Sequence, residues 1–162
     1  MSGLLTDYER DDCVTARPRL DLDDFMPYLI NRVGAAVAAN FTGNALAQHD
    51  LSIAMWRVLA ALSANGEQRQ IDLADMTSID VSTLSRLVTR LVRRSLVTRT
   101  RSKSNSREVL VQLSPKGRAL VETLIPVARK LEAQAVAGVP AKDLALVKRS
   151  LRRMYGNLAD AE

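Results

Sequence analysis

From residue 29 the apolar positions fall three and four apart: Leu29, Val33, Ala36, Val37 and Phe41. That spacing places them on one side of an α-helix and predicts a long helix reaching about residue 47. Asp23 or Asp24 can cap its start, and Pro27 then lies in the first turn, where its missing N–H costs little. A second helical run, "IAMWRVLAALSANG", groups Ile53, Trp56, Leu59 and Ala60 on one face. Asp50 or Ser52 can cap it, and Gly66 stands just past its end. "IDLADMT" predicts a short third helix. Four residues, "TSID", then lead to "VSTLSRLVTRLVRR", whose N-cap is Asp80, so the third and fourth helices have the spacing of a helix-turn-helix.

After this helix the period changes. "LVTRT" and "EVLVQL" alternate apolar and polar side chains and predict two short strands. The six polar turn formers at 101 to 106 between them complete a β-hairpin. Ser114 followed by Pro115 is an N-cap with proline at the first helical position. It opens "PKGRALVETLIPVARKLEAQAVAG", where Pro126 predicts a kink. The final run, "AKDLALVKRSLRRMYGNL", sets Leu144, Val147, Leu151, Met154 and Leu158 in a heptad seam, which requires a partner helix. Residues 1 to 20 are polar without a sustained period and read as a loose arm.

Charge changes the picture most. Of the 162 residues, 47% are hydrophobic, enough for a core. Val81 to Arg118 hold ten basic side chains against one acidic, net +9; the remainder hold 13 basic and 17 acidic, net −4. A basic stripe in an otherwise acidic chain is suited to phosphates, although a solvated face is the commoner origin of charge runs. In the fourth helix, Leu84, Leu87, Val88 and Leu91 share one face, and Ser82, Ser85, Arg86, Thr89 and Arg93 share the other. Small hydroxyls allow close approach to a major groove, where Arg can donate twice to guanine and Thr can meet a thymine methyl. Thr83 and Arg90 flank that face. The hairpin adds Arg101, Lys103 and Arg107, placed to contact phosphates or a minor groove. Helix-turn-helix plus basic hairpin is a winged helix, and the combination points to double-stranded DNA.

Through "LSIAMWRVLAAL", "QIDLADMTSIDVSTLSRLVTRLVRRSLVTRT", "SREVLVQLSPKGRAL" and "VPAKDLALVKRSLRRMYGNL" the sequence resembles the MarR family of bacterial transcriptional regulators, from about residue 25 to 158. The resemblance implies a mainly α fold with a small β-hairpin wing, a winged helix-turn-helix lobe and a helical dimerisation region. It divides the chain into a flexible arm (1–20), an N-terminal dimerisation helix (21–48), a DNA-binding lobe (49–114) and C-terminal dimerisation helices (115–162). It further implies an obligate homodimer, an inverted-repeat operator, and a small-molecule pocket between each lobe and the dimer base. Tyr28, Arg32, Phe41, Met55 and Trp56 are the candidates to line that pocket. The effector would be an aromatic acid or its aryl-CoA thioester, and repression is the family's commoner mode.

Two positions depart from the family pattern. The wing's usual Asp-x-Arg is "NSR" here, so Arg107 inherits the minor-groove role while Asn105 lacks the charge to hold a basic neighbour. Ser95 stands where Gly is common after the reading helix. It must accept a left-handed backbone at some cost, or the turn differs.

The other conspicuous residues have plainer readings. Cys13 resembles the N-terminal cysteine of peroxide-sensing relatives, but Asp11 and Asp12 would suppress its thiolate. Cys13 and His49 are each the sole residue of their type, which leaves no Cys-based zinc cluster and no intramolecular disulfide; His49 reads as a surface residue. Trp56 has a core role to set beside a ligand role, and Arg32 could instead pair with the acidic N-terminal segment. Lys148, Arg149, Arg152 and Arg153 read as the wet face of the last helix. Neither a Gly-rich phosphate loop nor paired catalytic carboxylates are present, so an enzyme is not expected and no cofactor is implied. The remaining alternatives are a redox-sensing regulator and a winged-helix module for protein contacts. With no apolar run of membrane length and no signal-peptide pattern, a cytoplasmic protein without membrane contacts is expected.

Overall fold

In the computed structural model, residues 19–101 and 108–159 are described. Helix α1, Met26–Phe41, starts without a side-chain cap: Phe25 occupies the N-cap position and Pro27 the second helical one. Asp23 and Asp24 therefore do not cap it. The Asp23 N–H donates to Asp21 Oδ1 at 3.0 Å, which fixes a turn ahead of the helix instead. Beyond Phe41 the run widens into one π-helical turn, Thr42–Leu46, and tightens into a 3₁₀ turn, Ala47–His49. The widening brings both Ala45 and Leu46 into the core. Asp50 then ends the run in a left-handed conformation, φ 49.

Ser52 caps α2, Ile53–Asn65, by accepting the Met55 N–H at 3.2 Å, and Gly66 closes it at φ 74. The buried face of α2 is rotated from the expected one. Met55, Val58, Leu59 and Leu62 are buried, whereas Ile53, Trp56 and Ala60 are half-buried. The cause is that α2 packs against both helices and sheet, so apolar residues surround most of its girth and periodicity alone does not select a face.

A two-residue strand, β1 (Gln68–Arg69), precedes α3 (Gln70–Thr77) and α4 (Val81–Arg93). The hairpin of β2 (Val97–Arg101) and β3 (Val109–Leu113) pairs antiparallel from Val97↔Leu113 to Arg101↔Val109. β1 adds to β3 through Gln68↔Val111 and Arg69↔Leu110, so the sheet order is β1-β3-β2. A strand as short as β1 carries no period to read. Ser114 caps α5, Pro115–Ala135, by accepting the Gly117 N–H at 2.9 Å, and the helix continues through Pro126. Gly117 is there for space: a Cβ would fall 1.9 Å from the Leu96 carbonyl oxygen.

The lobe's core gathers Leu59, Leu73, Leu84, Leu91, Val111 and Val121, each at most 1% exposed. Helix α6, Ala141–Ala159, contributes no buried residue to it. Of its seam, Leu144 is half-buried, while Val147, Leu151, Met154 and Leu158 are exposed. α1 and α6 together border an open apolar cavity of about 620 Å3, lined by Ile30, Val33, Val147 and Leu151 among others. Among the described residues no helix is long and apolar enough to cross a membrane.

Candidate nucleic-acid interface

The interface is built on α4. Its inward residues Leu84, Leu87, Val88 and Leu91 are all buried, so the helix cannot roll without exposing them. The opposite side presents Ser82, Thr83, Arg86, Arg90 and Arg93 exposed, with Ser85 and Thr89 half-buried at its edges. Asp80 Oδ1 accepts both the Thr83 N–H at 2.9 Å and the Ser82 hydroxyl at 2.7 Å. These bonds hold its carboxyl down at about 2. A carboxylate only accepts, so the Ser82 proton is committed and the oxygen is left as an acceptor. The Thr89 hydroxyl likewise donates to the Ser85 carbonyl at 2.9 Å. None of Arg86, Arg90 and Arg93 forms an ion pair with a described residue. The face therefore combines donor-only guanidiniums with hydroxyls that accept.

Beside this helix, β2 exposes Arg99 and Arg101. Lys103, Asn105 and Arg107 lie outside the described residues, as does Cys13. The single acidic residue of the basic segment, Glu108, is engaged. Arg69 reaches it at 3.6 Å while forming a tighter pair with Asp72 at 2.6 Å. The Asp72 hydrogen bond, then its charge, raises the Arg69 pKa, and the Arg69 hydrogen bond lowers that of Asp72. This link ties the first turn of α3 to the start of β3, at the loop end of the hairpin.

The ligand candidates fall into two pairs and a core residue. The rings of Phe41 and Trp56 meet edge to face at 5.2 Å and 68°. Arg32 stacks over Tyr28 at 5.7 Å. Met55 and Phe41 are 1% and 3% exposed and face the packed interior. Trp56 also edges an open cavity of about 730 Å3 between α2 and α3, with Arg57, Met76 and Ser78 around it. Periodicity passed over Arg57, because an exposed Arg on a helix carries no distinguishing signal until its neighbours are known. Among the described residues no group of three His, Cys, Asp or Glu side chains could hold a metal ion.

Residues 51–109 match the MarR family model. A MarR-family transcriptional regulator from Silicibacter pomeroyi is 30% identical in sequence. Its structure superposes over 86% of this chain and 96% of that one with a TM-score of 0.76. The chain belongs to the MarR family. Its mainly helical fold with a small antiparallel sheet is the winged helix of that family. BpsR of Bordetella bronchiseptica, whose DNA binding is regulated by 6-hydroxynicotinic acid, is 29% identical over 80% of this chain and 97% of its own, with a TM-score of 0.72. The HTH-type transcriptional repressor NicR of Pseudomonas putida is 31% identical over 59% of this chain, and that match spans 61% of NicR. These MarR-family relatives are transcriptional regulators rather than enzymes.

Proposed function

We propose that this MarR-family protein is a homodimeric transcriptional repressor that binds an inverted-repeat operator and is released by a small aromatic acid or its CoA thioester. The observation that carries the reading is α4 itself: a helix locked by four buried side chains, exposing Arg86, Arg90 and Arg93 with Ser82 beside the basic strand β2. Ser82, Ser85, Arg86 and Thr89 read base edges, while Arg90, Arg93, Arg101, Lys103 and Arg107 grip the phosphates or a minor groove. Two lobes bind half-sites about one helical turn apart, on one face of the duplex. Regulation of BpsR by 6-hydroxynicotinic acid, an aromatic acid, supports the effector class. Trp56 and the Tyr28–Arg32 pair supply the aromatic and cationic chemistry such a ligand needs. The ligand acts by preferring a dimer whose lobes do not fit the operator. Such a regulator works in the cytoplasm, where the DNA is.

Fluorescence anisotropy on the DNA flanking the protein's own gene tests this. The expected result is tight binding that exceeds binding to scrambled DNA at every salt concentration and is relieved by one aromatic acid or thioester. Arg86→Glu is expected to abolish that binding while leaving the dimer intact. Equal binding to both DNAs, falling steeply with salt, would reduce the basic segment to a nonspecific phosphate grip.

A further inference from the structure

The end of the reading helix is held by a side chain that takes no part in the exposed face. Arg94, the C-cap residue of α4, turns back across the lobe to residues 44 and 45 positions earlier. Its Nη1 donates to the Asp50 carbonyl and pairs with Asp50 Oδ2 at 3.0 Å, and its Nη2 donates to the His49 carbonyl. His49 and Asp50 are the last residues of the helical run that starts with α1. One guanidinium thus joins the end of that run to the end of the reading helix.

The backbone on both sides is bent to permit this. Asp50 at φ 49 and Ser95 at φ 58 are two of the three non-glycine residues with positive φ among the described residues, and both adjoin the guanidinium or its backbone. Such conformations persist only where surrounding contacts over-determine them, and they cluster at functional joints. The same short turn is held from the other side by α5. Lys116 Nζ donates to the Arg94 carbonyl at 3.2 Å, the Ser114 hydroxyl to the Ser95 carbonyl at 2.6 Å, and the Ser114 N–H to the Leu96 carbonyl at 3.1 Å. Residues 94 to 96 are therefore the place where the reading helix is fastened to both helices that lead away from the lobe.

We propose that Arg94 is a positioning residue: its fork to His49 and Asp50 fixes the angle between α4 and α1 and so sets the half-site spacing the dimer accepts. This rests on the dimeric, DNA-reading function proposed above. The fork is what suits Arg to the task. Two carbonyls and a carboxylate surround it, and its planar array of donors reaches all three in one fixed orientation. An ammonium can satisfy some of these acceptors but fixes no plane. The Asp50 carboxylate is 88% exposed against 31% for the Arg94 side chain, so water weakens the ion pair more than the carbonyl bonds. The geometric constraint should thus reside mainly in the two carbonyl contacts.

The test uses the full-length protein and operators whose half-sites are separated by the natural distance or by one base pair more or fewer. Each step rotates one half-site by about 35° relative to the other. The wild type should lose about tenfold in affinity at either altered spacing. Arg94→Met, which keeps most of the stem and removes the donors, should remain dimeric and lose affinity on the natural operator. Its penalty for altered spacing should shrink to about threefold or less. Arg94→Lys, which keeps the charge but not the planar fork, should fall between the two and decide the matter if Arg94→Met does not fold. Asp50→Asn, which keeps both carbonyls and a residue tolerant of the left-handed backbone, should instead stay near the wild type. For the Arg94 variants, a uniform loss at all three spacings, or no change at any, would overturn the assignment and leave Arg94 a structural cap. A wild-type protein that is monomeric or indifferent to spacing would instead overturn the dimeric reading on which the proposal stands.

Discussion

Ser95 illustrates how much a single position can hold. It sits where the chain leaves α4 and must turn at once into β2, and it does so at φ 58, a region that an L-residue enters at a cost. What holds it there is local. Its N–H donates to the Val92 carbonyl at 2.8 Å and its own carbonyl accepts the Ser114 hydroxyl. Glycine removes the Cβ conflict but frees the unfolded chain, and these two effects oppose each other. Ser95→Gly is expected to stabilise the lobe by about 1 kcal/mol, the strain relief outweighing the added unfolded-state entropy. Urea unfolding checks this, and a destabilised variant would mean the turn is not strained. The family resemblance marked Ser95 as unusual, whereas nothing marked Arg94, because its partners lie in another part of the chain.

At the scale of elements, α4 combines an apolar stripe that anchors it with a cap that orients its first turn. Asp80 accepts from Thr83 and Ser82, and those bonds keep its carboxyl near 2 against an ordinary 3.8. Because the folded-state value lies below the unfolded one, the cap's ionic contribution is complete above about pH 4 and is lost as pH falls through about 2. Asp80→Asn retains an acceptor and the cap but not the titration. Unfolding midpoints measured from pH 5 to pH 2 should therefore fall less steeply for the variant. Parallel curves would show that Asp80 is not the group being titrated. The start of α1 shows the reverse case. Asp23 and Asp24 have the right chemistry to cap it, yet the helix begins at Met26 with Phe25 at the N-cap position, so both carboxylates fall ahead of the cap.

The whole molecule is legible mainly as an incomplete one. The lobe closes around its own core, but no α6 residue is fully buried, and with α1 it leaves Ile30, Val33, Val147, Leu151 and Met154 in the open. Apolar surface on that scale calls for a second surface, and a copy of the same chain is the partner the proposed function supplies. Leu151→Glu should place a charge in that contact. Sedimentation is expected to show a monomer in place of the dimer, with loss of operator binding and with the lobe's helical spectrum retained. A variant that remains dimeric would move the interface elsewhere.

The sequence by itself determined the elements with strong periodic or capping signals: α4 with its inward leucines, the hairpin's two strands, and the start of α5 at Ser114, while it narrowed the cap of α2 to Asp50 or Ser52. Those signals are local, since side chains within a turn or two decide them. The tertiary structure alone decided which face of α2 is buried, the addition of β1 to the sheet, the widened turn after Phe41 and the meeting of Arg94 with His49 and Asp50. Each depends on groups brought together from distant parts of the chain, and no window along the sequence contains both partners.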